Sequence, residues 1–179
     1  MGDLTALQDD PHNGLHVVAG RLGRTPLGRR MSIVRASDGR LAVINALRLD
    51  EIGMRELEAL GTVGWILVPS ALHWIDAPWY AERYPNARVL LEPGAVKRLG
   101  GRLRYHGTFA DEWPAELEGV LRRMTIGGLR VPESVFLHTP SKSLVVSDLV
   151  FNIGDDVQGF GRVMMQLTGA LNHFGPTRI

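Results

Sequence analysis

The chain has 179 residues, of which 45% are hydrophobic and 22% charged, a composition typical of a single soluble globular domain. Its formal net charge of +1 gives no electrostatic reason to expect nucleic acid or a membrane as a partner. The absence of cysteine excludes disulfides, thiolate zinc sites and cysteine nucleophiles, so a metal would need His, Asp or Glu ligands. The N-terminus lacks the pattern of a signal peptide, and no apolar run approaches the roughly 20 residues of a membrane span. We therefore expect a cytoplasmic protein with one domain over residues 1–179.

The first half of the chain predicts a β-hairpin followed by βαβ units. Residues 31–47 (MSIVRA-SDGR-LAVINAL) form the hairpin pattern, because Asp38 and Gly39 tolerate the positive φ of a tight turn. The apolar run VGWILVP predicts a central strand covered on both faces. We expect parallel pairing within residues 41–92. Gly and Pro positions and the apolar period predict the other elements: a strand at 15–20, a loop at 23–30, helices at 49–61 and 77–85, a strand at 87–94 and a helical turn at 95–100.

The helix at 49–61 has the clearest start and end signals. Asp50 is placed to cap its N-terminus, and Gly61 is placed to end it. The 3.6-residue spacing of its apolar residues predicts one buried arc of the helix, formed by Leu49, Ile52, Leu57 and Leu60.

The second half reads as short strands followed by a helix. Strands are predicted at 117–128, 133–138 and 143–151, with a tight turn at 139–142 and a helix at 160–171. Hairpins and βαβ units in one chain predict an α+β or α/β fold, built on a mixed sheet or on two sheets covered by helices.

His73 occupies the position best suited to chemistry. It follows the buried strand at 63–69, where open α/β sheets place their ligand crevices. Asp76 lies three residues further on, so a helical start would put both side chains on one face. Asp148 is an acidic residue within the apolar run VVSDLVF, where an unpaired carboxylate is costly. It requires either a cation or hydrogen bonds from backbone or hydroxyl groups.

The other histidines and the paired arginines favour structural roles. His12 and His16 are expected to be structural or solvated, whereas the role of His106, in a segment without a predicted element, stays open. His138 is expected to satisfy a turn carbonyl, and His173 to cap the last helix. The pairs Arg29–Arg30 and Arg122–Arg123 are expected to be solvated strand ends.

Sequence motifs of the common hydrolases and nucleotide-binding proteins are absent. There is no G-x-S-x-G elbow, P-loop or H-E-x-x-H. The run GFGRVMMQ begins G-x-G but lacks the third glycine of a dinucleotide fingerprint.

Three segments together resemble the DUF4336 family, an uncharacterised branch of the metallo-β-lactamase-like superfamily. They are RRMSIVRASDGRLAVINAL, VGWILVPSALHWIDAPWYAERYPNARVLLEPG and ESVFLHTPSKSLVVSDLVFN, and the resemblance runs from about residue 30 to residue 152. The resemblance implies an αββα sandwich of two mixed β-sheets flanked by helices. Residues 1–179 would then form one such domain, lacking the C-terminal part of the usual fold.

The resemblance also implies where a metal would lie. In the wider superfamily an H-x-H-x-D-H motif supplies most ligands of a two-metal site, and a later Asp bridges the metals. This chain has SALHWID at that place, so His73 and Asp76 are what remains of the motif, and Asp148 matches the bridging Asp. One catalytic zinc needs three protein ligands and an open position, which His73, Asp76 and Asp148 would just supply.

Three functional hypotheses follow. The first is a metallo-β-lactamase-fold protein whose metal site has largely been lost, without a cofactor, which binds a small molecule in a pocket lined by Trp74, Trp79 and Tyr80 or serves structure and assembly alone. The second is a mononuclear metal-dependent hydrolase with zinc, iron or manganese on His73, Asp76 and Asp148. The third is a homodimeric interaction module that uses an exposed apolar strand or the C-terminal helix.

Overall fold

The computed structural model describes residues 3–5, 14–21, 28–128, 130–152 and 174–175. The predicted helix at 160–171 lies outside these residues, as do His12 and His173. The described strands and α-helices, in chain order, are β1 Asp3–Thr5, β2 Leu15–Arg21, β3 Gly28–Arg35, β4 Leu41–Ile44, α1 Glu51–Leu60, β5 Val63–Val68, α2 Ala77–Arg83, β6 Arg88–Leu91, α3 Val96–Leu99, β7 Gly107–Thr108, β8 Leu121–Ile126, β9 Glu133–His138, β10 Ser143–Val145, β11 Phe151–Asn152 and β12 Phe174–Gly175.

A seven-stranded mixed sheet holds β1 to β7 in chain order. Strands β1 to β4 pair antiparallel, and β4 to β7 pair parallel. The predicted hairpin is confirmed by the pairing of Arg35 with Leu41. Its turn depends on Gly39, which has a φ of +85°, whereas Asp38 accepts a 3.0 Å hydrogen bond from the Arg40 N–H. The predicted parallel pairing within 41–92 is also confirmed.

The hairpin strands differ from their predicted bounds. Strand β3 begins at Gly28, so Arg29 and Arg30 belong to the strand and not to the predicted loop. Strand β4 ends at Ile44, before the predicted end at residue 47. The chain turns there because Asn45 adopts a φ of +56°, a left-handed conformation that Asn tolerates better than most residues.

Helix α1 confirms both predicted ends and corrects its buried face. Asp50 caps it by accepting a 2.8 Å hydrogen bond from the Gly53 N–H, and the helix ends before Gly61. Ile52 was expected on the buried arc but is 62% exposed. The side of α1 facing the sheet carries Leu57, as predicted, together with Met54, which the prediction did not include.

The mixed sheet is covered on its two faces by different layers. Alternate residues of each strand point to opposite faces. One face packs against the helices, with Ile66 and Val89 beside Leu57 and Tyr80. The opposite face packs against the second sheet, and its buried side chains include Trp65, Leu67, Leu90, Phe109, Leu121 and Phe136. The mixed α/β fold with two sheets is therefore confirmed, since burial on both faces holds the layers together.

The second sheet is antiparallel throughout its described strands, in the order β10-β9-β8. The mixed pairing lies in the seven-stranded sheet, whereas the strands described for this sheet are antiparallel. The cause is local, because β8 to β10 are joined by short connections and no helix crosses between them.

Strand β10 ends at Val145, before the predicted limit. Residues 146–150 form bends and not strand, so Asp148 lies in a loop and not inside an apolar strand as predicted. Among the described helices, none has the length and apolar character that a membrane crossing requires.

Candidate functional site

The candidate site lies at the carboxyl edge of the parallel strands β4, β5 and β6. The chain leaves β5 and turns at Ser70, whose side chain is buried with 1% exposure. Ser70 Oγ accepts a hydrogen bond from the Leu72 N–H at 3.3 Å. The Ser70 carbonyl accepts one from the His73 N–H, also at 3.3 Å. This compact turn places His73 at the edge of the sheet.

His73 faces Asp148 across the edge. His73 Nε2 and Asp148 Oδ2 are 3.1 Å apart, with side-chain exposures of 20% and 35%. The two atoms are in contact, but Asp148 Oδ2 makes no directional hydrogen bond. His73 and Asp148, which the resemblance placed at one site, are therefore brought together, and an oxygen of Asp148 is left without a well-aligned donor.

The loop carrying Asp148 is held by Glu133, the first residue of β9. The Glu133 carboxylate accepts hydrogen bonds from the backbone N–H groups of Ser147, at 2.6 Å, and Asp148, at 2.8 Å. Burial raises the pKa of Glu133, and these two hydrogen bonds act in the opposite direction. Because both carboxylate oxygens accept backbone hydrogen bonds, Glu133 positions Asp148 and is not a free ligand.

Asn45 fixes the same loop from the mixed sheet. Its Nδ2 donates to Ser147 Oγ at 3.0 Å, and Ser147 Oγ donates to Asn45 Oδ1 at 3.2 Å. Asn45 directly follows β4, so the carboxyl end of a parallel strand holds the residue next to Asp148.

The two sheets also meet directly at this edge. The Ser134 N–H donates to the Pro69 carbonyl at 2.9 Å, and Ser70 forms a bridge with Glu133. The Ser134 hydroxyl donates to the carboxylate of Glu92, a residue only 1% exposed that directly follows β6. These contacts fix β9 against the ends of β5 and β6.

Asp76 does not join His73 and Asp148. Its Oδ2 lies 2.6 Å from a guanidinium nitrogen of Arg29, and the two side chains are 19% and 14% exposed. The other terminal nitrogen of Arg29 donates to the Ala46 carbonyl at 3.0 Å. The expectation that Arg29 is a solvated strand end is therefore wrong.

The expectation that His73 and Asp76 share one face of a helix is also wrong. Helix α2 begins only at Ala77, after Asp76. His73 lies in the preceding turn, where residues do not follow helical period. The two side chains consequently meet different partners.

The described residues do not fit the metal centre implied by the resemblance. Across the part of the chain that the structure describes, no group of three or more His, Asp or Glu side chains is arranged to hold a metal ion. A catalytic zinc takes three protein ligands. His73 and Asp148 converge, Asp76 is paired with Arg29, and both oxygens of Glu133 accept backbone hydrogen bonds.

A wide groove opens beside Asp76, on the side of the edge nearer to the helices. We call it the Trp79 groove; it has a volume of about 1300 Å³. Its lining includes Arg29, Arg48, Ile52, Arg55, Ile75 and Trp79.

The aromatic residues expected in a pocket have different positions. Trp79 lines the groove, but Tyr80 is fully buried, and its hydroxyl donates to the Leu47 carbonyl at 3.0 Å. Trp74 packs half-buried against the helical core. The expected three-residue aromatic lining is therefore wrong for Tyr80, because α2 points that ring into the core.

The other described histidines have structural contacts or lie apart from the edge. His106 Nδ1 accepts a 3.0 Å hydrogen bond from the Val89 N–H. His138 Nδ1 lies 2.7 Å from Ser141 Oγ and accepts from the Ser141 N–H at 3.4 Å, so it meets a turn amide and not the expected carbonyl. His16 is half-buried in β2, where burial lowers its pKa.

Sequence reasoning missed Glu133, Asn45 and Arg29 as residues of the site. One signal was available for two of them: Glu133 is a carboxylate beginning an apolar run, and Asn45 follows another. Arg29 had no comparable signal, since its partner is 47 residues away.

Comparisons with known proteins agree with this architecture. No family model and no curated protein match the chain. Among solved structures, DIM-1 metallo-β-lactamase matches with a TM-score of 0.57 and 10% identity, over 98% of this chain and 91% of the other. A metallo-β-lactamase from Pontibacter korlensis matches with a TM-score of 0.56 and 13% identity, over 98% and 94%.

A β-lactamase domain protein from Burkholderia ambifaria matches with a TM-score of 0.57 and 15% identity. The match covers 79% of this chain, which spans about half, 54%, of that protein. At these identities the likeness shows the fold alone.

Proposed function

We propose that this chain, which has the metallo-β-lactamase fold, is a member of the DUF4336 type with a degenerate metal site, and that it binds a small molecule at the carboxyl edge of its mixed sheet. The observation that carries the proposal is the ion pair between Asp76 and Arg29, with 2.6 Å between the charged atoms. A carboxylate paired in this way is costly to withdraw for a metal, because its partner would be left unpaired in a partly buried place.

Ligand number supports the same proposal. Two-metal hydrolases use paired ions to activate water and to stabilise developing negative charge. That chemistry requires more side chains than the single His73–Asp148 contact. The fold instead provides a rigid edge, where Glu133 and Asn45 hold the loop at Asp148, next to an open groove.

The test is the metal content of the full chain, purified without chelator and without added metal. We expect zinc, iron and manganese together to be well below one ion per chain by elemental analysis. His73→Ala should leave this value unchanged, as should His16→Ala, a control in β2. About one ion per chain in the wild type that is lost in His73→Ala alone would overturn the proposal.

The second candidate is the mononuclear metal-dependent hydrolase. It is favoured by the 3.1 Å separation of His73 Nε2 and Asp148 Oδ2, because two ligands of one zinc ion, each about 2 Å from it, lie close together. It is opposed by the pairing of Asp76, its third predicted ligand. If the chain is such a hydrolase, Asp148→Asn should lower the metal content as strongly as His73→Ala does.

A further inference from the structure

The Trp79 groove has an aromatic wall flanked by guanidinium groups. The guanidinium carbon of Arg48 lies 5.1 Å from the centre of the Trp79 ring, and that of Arg83 lies 5.8 Å from it. Both distances are in the range of cation–π attraction. Trp79 itself is half-buried, so this ring is fixed in place and still reaches the groove.

The charges lining the groove are unevenly paired. Four arginines and three acidic residues line it. Asp76 is paired with Arg29, and Arg83 is paired with Glu58 at 2.8 Å. Asp50 accepts the hydrogen bond that caps α1.

Two arginines of the lining are left for a ligand. Arg48 and Arg55 are both exposed, and among the described side chains neither has a carboxylate within 4.0 Å. Glu51, also exposed, is the acidic residue of the lining that neither caps a helix nor pairs with a cation of the described residues. An incoming anion therefore meets more uncompensated positive than negative charge.

Apolar side chains also line the Trp79 groove. Ile52 is 62% exposed and Ile75 is 50% exposed, and both line the groove. Large apolar side chains left open in a groove favour a ligand with an apolar body. The lining thus combines a flat ring, two isoleucines and two guanidinium groups that no described carboxylate pairs with.

Resting on the proposed function, we propose that the Trp79 groove binds a planar aromatic carboxylate. The flat apolar body lies against Trp79, Ile52 and Ile75. The carboxylate is bound by Arg48, with Arg55 adding positive charge, because guanidinium groups match carboxylates in shape and charge. Recognition requires both parts, since neither a bare anion nor a neutral ring satisfies the whole lining.

The experiment is a calorimetric titration of the full chain with three probes: naphthoate, its neutral analogue naphthamide, and acetate, which has the charge without the ring. We expect naphthoate to bind about tenfold more tightly than naphthamide, as one charge-assisted contact supplies. Acetate should show no saturable binding in the same range.

Variants locate the contact. Arg48→Gln should weaken naphthoate about tenfold while leaving naphthamide unchanged. Arg122→Gln is the matched control, an exposed arginine in β8 of the other sheet, and it should change neither probe. Thermal melting of each variant shows whether it remains folded.

Three results would overturn the inference: equal affinity for naphthoate and naphthamide, no naphthoate binding at all, or naphthoate affinity that survives Arg48→Gln but is lost in His73→Ala. The last result would move the ligand to the His73–Asp148 contact and leave the proposed function standing. Metal content, measured on the same preparation, tests the proposed function independently of the probes.

Discussion

Asp76 and Asp148 lie at the same edge of the mixed sheet but in opposite surroundings. Asp76 meets the guanidinium of Arg29 and is 19% exposed, whereas Asp148 faces His73 and is 35% exposed. The Asp148 loop is held through its backbone by Glu133, while Asp76 is held through its side chain. The place of a carboxylate in the fold therefore does not make it a metal ligand, because a neighbouring cation can already bind it.

The largest expected effect comes from removing the support of Asp148. Glu133→Ala should lower the free energy of unfolding by about 3 kcal/mol, because the backbone N–H groups of Ser147 and Asp148 lose their acceptors. Glu133→Gln keeps one acceptor oxygen, so it should lower the free energy of unfolding by roughly half as much. Urea denaturation measures both. The exposed Glu118→Ala is the control, and a loss no larger than that of the control would contradict the role of Glu133.

On the Asp76 side, Arg29→Met should lower the free energy of unfolding by about 2 kcal/mol, because the Asp76 carboxylate is left partly buried without its cation. The Ala46 carbonyl also loses a donor. Arg30→Met, at the next residue of β3 and exposed, is the matched control and should change stability by less than about 0.5 kcal/mol. Equal effects of the two substitutions in urea denaturation would show that the ion pair is unimportant.

A smaller effect, dependent on pH, is expected away from the edge, at His138. This side chain is fully buried, and burial lowers its pKa below the ordinary value of 6.5. The unfolded chain therefore takes up a proton at this residue more readily, so stability should fall as pH decreases below 6.5. His138→Gln should remove that part of the decline. Wild-type and variant stabilities that fall in parallel on acidification would contradict this assignment.

The smallest effect is expected on the Asp148 side, at its contact with His73. His73→Asn should change the free energy of unfolding by less than about 0.5 kcal/mol, because both side chains are partly exposed, at 20% and 35%, and the contact lacks a directional hydrogen bond. A loss as large as that of Arg29→Met would show that the two sides of the edge do not differ as described.

The scaffold was more predictable from sequence than the site. The helix cap at Asp50, the glycine turn at Gly39 and the buried run Val63–Val68 are local signals, and each was confirmed. Ile52 was wrongly assigned to the buried face of α1. The spacing of apolar residues alone does not reveal that this part of the helix faces an open groove.

The site depends on contacts between residues far apart in the chain. Arg29 and Asp76 are 47 residues apart, and Asn45 and Ser147 are 102 apart. Sequence pattern placed His73 after a buried strand but Asp148 inside an apolar strand, and only the family resemblance put the two at one site. The sequence pattern could not predict that Arg29, which was expected to be solvated, forms an ion pair with Asp76. This contact depends on the register of β3 beside β4.

We infer that Asp76 binds Arg29 and not a metal ion. Zinc titration of the wild type, His73→Ala and Asp76→Asn, followed by desalting and elemental analysis, tests this most directly. We predict less than one retained zinc per chain in all three, with Asp76→Asn changing stability but not zinc content. One zinc per chain in the wild type, lost in both variants, would contradict the claim.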